Sequence, residues 1–165
     1  MYFFLKKEGF NYHLFNRSKE VLIHAKWVKK HQPSLKKDKL IPTLVVLNSD
    51  QSIFSSSYLQ PNNSFIHFSW DEKYIVNIDG QKHVISCISF WKNTWEMHLG
   101  NSKFRYQSKF WDNQSIIHKD GTPILKIQNE IISLNQKELS LTDLQIGISI
   151  YLTIENPWQV NEIDL

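Results

Sequence analysis

A chain of 165 residues has room for one hydrophobic core and does not require a second domain. With 41% apolar, 13% aromatic and 21% charged residues, it lies in the globular range and outside the composition of disordered segments. Cys87 is the lone cysteine, which excludes an internal disulfide and a multi-cysteine zinc site and points to a reducing compartment.

In "MYFFLKKEGF" a short apolar run precedes Lys6 and Lys7, the reverse of the basic-then-apolar order of a secretion signal. No apolar run reaches the ~20 residues of a membrane-spanning helix. The expectation is a soluble, cytoplasmic chain with no transmembrane segment. A period of two then begins. In "FNYHLF", Phe10, Tyr12 and Leu14 share one face. In "KEVLIHAKW", Val21, Ile23, Ala25 and Trp27 oppose Glu20, Leu22, His24 and Lys26.

Residues 26–42, "KWVKKHQPSLKKDKLIP", break the alternation. They carry Lys26, Lys29, Lys30, Lys36, Lys37 and Lys39 against Asp38 alone, with Pro33 and Pro42 expected to interrupt strand pairing. The segment reads as a long, exposed, mobile basic loop. Residues 1–50 hold ten Lys and Arg against four Asp and Glu, whereas the remaining residues hold nine against twelve, so the overall charge of +3 hides a polarised molecule. Most charge runs are only solvated loops. A cationic loop of this density can also attach to anionic lipid, to an acidic protein or, less favourably, to nucleic-acid phosphates.

Farther along, "SFIHFSW" places Ile66, Phe68 and Trp70 on one face, and "KFRYQSKF" sets Phe104, Tyr106 and Phe110 against Lys103, Arg105, Gln107 and Lys109. Turn signals separate these runs at "KEG", "NRS", "NSD", "PNN" and "GN", and at Asp79-Gly80 and Asp120-Gly121. They mark out about a dozen short strands. So long an antiparallel meander avoids open edges by closing into a barrel or splitting into a sandwich, and a barrel is expected. "HKDGTP" is then a hairpin, and His118 and Lys119 are strand-end residues.

Residues 140–158, "SLTDLQIGISIYLTIENPW", are uncharged from Leu144 through Ile154. Leu144, Ile146, Ile148, Ile150, Leu152 and Ile154 alternate with smaller or polar residues, as in a strand. The run nevertheless exceeds the usual strand of about five or six residues, and Ser140 or Thr142 before Asp143 makes a helix start. A helix so apolar would have to be buried on every side, and the periodicity alone favours a strand.

Many strands followed by one uncharged C-terminal segment, "DLQIGISIYLTIEN", resemble the tubby C-terminal-like superfamily, which includes the phospholipid scramblases and LURP-one proteins. "FWKNTWEMHLGNSKFRYQSKFWDNQSIIHKDGTPILKI" is similar to the strand phrase of small tubby-like proteins, so the resemblance covers roughly residues 64–158. It implies a closed antiparallel barrel of about twelve strands in one domain, enclosing a hydrophobic helix at about residues 142–155. Gly147 and Ser149 would let that helix lie close to the wall. Tubby binds phosphoinositide head groups through basic side chains, but no position here matches those residues one by one.

Chemistry is sparse. His13, His24, His31, His67, His83, His98 and His118 are scattered without His-x-His or His-Glu-x-x-His spacing, so no metal is expected. Cys87 and His83 would share a strand face but lie roughly 13 Å apart, too far for a nucleophile and its base. Nucleotide and nucleophile-elbow motifs are missing, and no cofactor or catalytic residue is expected. The tryptophans are expected to seal the barrel rather than to form a stacking surface. The function expected is a non-enzymatic binding or adaptor module that uses Lys29, Lys30, Lys36, Lys37 and Lys39. Two alternatives are an enzyme with a strand-end His/Asp site and a nucleic-acid-binding barrel.

Overall fold

Alternating apolar residues and frequent turn formers make short strands that each need a wet face and a dry one. The computed structural model describes residues 2–31, 40–60, 72–109, 111, 113–134 and 139–155. In chain order the elements are β1 (Tyr2–Glu8), β2 (Asn11–Phe15), β3 (Val21–His31), β4 (Leu40–Leu47), β5 (Ile53–Leu59), β6 (Lys73–Ile78) and β7 (Gln81–Ser89). They continue with β8 (Thr94–Leu99), β9 (Ser102–Lys109), β10 (Gln114–Lys119), β11 (Thr122–Gln128), β12 (Ile131–Leu134) and one helix, α1 (Leu141–Glu155). Each strand pairs antiparallel with its sequence neighbours, and β1 closes the ring on β12 through Tyr2↔Ser133, Phe3↔Ile132 and Phe4↔Ile131. The result is a closed twelve-stranded barrel.

The expected hairpins are present. Asp79-Gly80 and Asp120-Gly121 have positive φ at both residues, as a two-residue primed turn requires. Asn129-Glu130 makes the same kind of turn between β11 and β12 without a glycine. The expected strand "SFIHFSW" and the turn "PNN" lie outside the described residues.

The expected helix is α1, and Ser140 caps it. Its Oγ accepts from the Asp143 backbone N–H at 3.0 Å, and its carbonyl accepts from Leu144 N at 3.1 Å. Every residue from Leu144 to Ile150 is buried, as are Leu152, Thr153 and Ile154. The helix packs on β4 and β5 on one side and on β9 and β10 on the other, elements that face each other across the ring. It therefore runs through the bore.

The alternation that imitates a strand has a different purpose here. At about 100° per residue, Gln145, Ser149 and Thr153 fall in one stripe while Gly147 and Tyr151 fall on the opposite side. The aliphatic residues fill the arc between them. Gly147 meets β10 and β11, where a Cβ would overlap Leu125 Cδ1 and stand 3.7 Å from Ile117 Cγ2.

Candidate functional site

Inside the barrel the polar stripe of α1 is fully engaged. Ser149 Oγ lies 2.8 Å from Ser55 Oγ, Thr153 Oγ1 lies 2.6 Å from Ser57 Oγ, and Gln145 Nε2 donates to Asn48 Oδ1 at 2.5 Å. Ser149 and Thr153 also donate to the carbonyls of Gln145 and Ser149, one turn back. These contacts fix the rotation of the helix, because no other orientation offers two serines of β5 to the stripe. Ser149 is therefore more than a small residue that admits the wall. At the two ends, Lys119 clamps Asp143 through both carboxylate oxygens at 2.9 and 3.0 Å, and Glu155 accepts from Tyr106 and, at 3.1 Å, from Ser115. Burial, followed by the nearby Glu155 charge, raises the Tyr106 hydroxyl pKa, so it stays a donor.

With the bore filled, binding has to use the mouths and the outer wall. Strand directions place the β1–β2, β7–β8, β9–β10 and β11–β12 turns at the mouth where α1 ends. The β3–β4 end reaches the same mouth and extends past it. The last β2–β3 pair is Asn11↔Lys26 and the outermost β4–β5 pair is Leu44↔Ser57. The pairs from Val28↔Thr43 to His31↔Leu40 therefore have no third strand among the described residues, and they form a two-stranded arm.

This arm corrects the expectation of a loop where it began, at Lys29 and Lys30. Lys29 and Lys30 belong to β3, opposite Pro42 and Ile41, and are half-buried. The alternation through Trp27 simply continues into them. Pro42 does not interrupt pairing, because it sits in β4 where no β5 residue pairs with it and its missing N–H disrupts no ladder on that side. Pro33, Lys36, Lys37 and Lys39 lie outside the described residues, in the chain that joins the two strands of the arm.

The tryptophans divide. Trp27 and Trp95 are buried in the wall as expected, but Trp91 is 90% and Trp111 93% exposed. Both stand in turns of the arm's mouth, Trp91 edge-on to Phe90 with ring centroids 6.0 Å apart. The sequence carries a signal for this placement: "WKN" and "WDN" put each indole two residues before an asparagine that adopts positive φ, as Asn93 and Asn113 do. A polar recess of 540 Å³ opens at this mouth, lined by Asn113, Asn129, Glu130, Tyr151 and Glu155 among others. Burial and the Glu155 charge push the Tyr151 hydroxyl up to about 12.

On the outer wall, Glu96 accepts from Lys103 Nζ at 2.8 Å, from Arg105 Nη2 at 3.2 Å and from His98 at 3.3 Å. Lys103, Arg105, Gln107, His118 and Gly121 line an adjoining hollow of 310 Å³. Among the described residues no histidine contacts an aspartate. Asp120 instead caps its hairpin by accepting from Lys103 N at 2.7 Å, so the strand-end His/Asp pairing that the enzyme alternative needs does not form there. Cys87 is half-buried with its thiol pushed up by burial, and His83 faces the His98 carbonyl at 3.2 Å. Two histidines that the sequence leaves apart do meet: His13 and His24 are directly opposite on β2 and β3.

No protein-family model, curated protein or solved structure matches the chain. Among the described residues no helix is long and apolar enough to cross a membrane.

Proposed function

We propose that the chain is a non-enzymatic, tubby-like binding module that docks on anionic lipid head groups through the mouth bearing the β3–β4 arm. The placement of Lys29 and Lys30 at the same mouth as the exposed indoles of Trp91 and Trp111 carries this reading. Indoles favour the head-group level of a bilayer, where the ring is half in apolar surroundings and its N–H stays wet. Each lysine near an anionic surface adds about 1 kcal/mol. Lys36, Lys37 and Lys39 belong by sequence to the connection of the arm and add to the same charge. The twelve-stranded wall around a C-terminal helix supports the tubby-like assignment, and the lone Cys87 supports a cytoplasmic, membrane-peripheral location.

Vesicle pelleting tests the reading. Phosphatidylserine vesicles should retain the protein at low salt, where they should outcompete phosphatidylcholine vesicles, and release it at high salt. Equal or absent retention on the two lipids at low salt would transfer the surface to an acidic protein partner.

A further inference from the structure

From the His13–His24 pair we infer that the chain binds a first-row divalent transition metal, zinc being the natural candidate, on the outer wall of β2 and β3. The two Nε2 atoms stand 3.3 Å apart. That distance is the edge of a tetrahedron whose centre lies about 2.0–2.1 Å from each corner, the length of a zinc–imidazole bond. The register explains the approach, since His13 and His24 are direct cross-strand partners and their side chains leave the wall on the same face.

A third donor is close. Glu8 Oε2 lies 3.8 Å from His13 Nε2, about half an ångström beyond the same tetrahedral edge, while its other oxygen holds Lys6 at 2.6 Å. A hollow of 260 Å³ is lined by the two rings together with Asn48 and Gln51. Among the described residues no three His, Cys, Asp or Glu side chains already converge, so the site is a two-imidazole chelate that Glu8 completes by a small swing.

The rings now overlap with centroids 4.0 Å apart and planes tilted by 56°. Bringing both lone pairs onto one ion spreads the centroids to about 5 Å, given the bond length and tetrahedral angle. Rotation about the side-chain bonds of two half-buried wall residues supplies this spread. Without an ion the pair is joined by one N–H···N bond between complementary tautomers.

Isothermal titration of the full chain with zinc chloride near pH 7.5 tests the site. One ion per chain is expected, with affinity falling at least tenfold in either His13→Gln or His24→Gln and a few-fold in Glu8→Gln. Zinc-induced shifts in histidine ring-nitrogen NMR of the unaltered protein should be confined to His13 and His24, a readout that stands even if a variant misfolds. Shifts centred on His83, His98 or His118 would overturn the assignment. So would a chain that takes up no zinc, since the pair would then be a hydrogen bond only.

Discussion

At Gly147 the absence of a side chain lets α1 touch the wall. A leucine there would have to displace Leu125 and Ile117, both fully buried, so Gly147→Leu should cost about 1–3 kcal/mol through overpacking. For a chain of this size the melting temperature should fall by about 2–4 °C for each kcal/mol. An unchanged melt would mean that the helix is not confined. The value of a small residue at 147 is legible in the sequence once a buried helix is assumed. The contacts of Ser149 are not, because Ser55 lies 94 positions away and nothing local marks it as a partner. Ser149→Ala should cost about 1–3 kcal/mol by stranding a buried hydroxyl, whereas the double variant with Ser55→Ala should cost clearly less than the two single losses together. Additive denaturation free energies would show that the hydroxyls do not depend on each other.

At the scale of elements, period-two patterning identified β2, β3 and β9 but favoured a strand where α1 lies. Its aliphatic and small residues alternate as a strand's do, and only enclosure on all sides makes the helix the stable form. The β3–β4 arm failed in the opposite sense: charge density suggested a loop, yet backbone pairing to β4 carries Lys29 and Lys30 as strand residues. Charge patterning does not separate a loop from a paired ribbon whose lysines are half-buried.

Between β8 and β9, electrostatics has a pH signature. Burial raises the Glu96 carboxyl pKa, but Lys103, Arg105 and His98 outweigh burial and hold it below the usual 4.5. A depressed carboxylate stabilises the fold above its unfolded pKa, and that contribution is lost as pH falls through the lower folded value. Glu96→Gln removes the contribution, so its stability should decline less steeply than that of the unaltered chain below about pH 4.5. Parallel acid-unfolding curves would show that the cluster adds nothing to strand pairing.

Across the whole molecule, turn chemistry and strand count were enough to anticipate a closed barrel, whereas the helix inside it was expected from the tubby-like resemblance. The proposed docking surface was only half legible. The lysines announce themselves as a run, but the indoles that join them come from turns 20 residues apart, and only the alternating strand direction brings both turns to the mouth from which the arm projects. The bore is filled, so this mouth is the surface on which the docking reading depends.

The most direct measurement is pelleting with phosphatidylserine vesicles of a variant in which Lys29, Lys30, Lys36, Lys37 and Lys39 are all replaced by glutamine, read alongside its thermal melt. Lys29 and Lys30 are half-buried strand residues outside the hydrophobic core, so the melting temperature should stay within a few degrees of the unaltered chain. At the same time, salt-sensitive retention should disappear, as expected for five charges at about 1 kcal/mol each. Retention that survives all five changes in a folded variant would contradict docking through the arm.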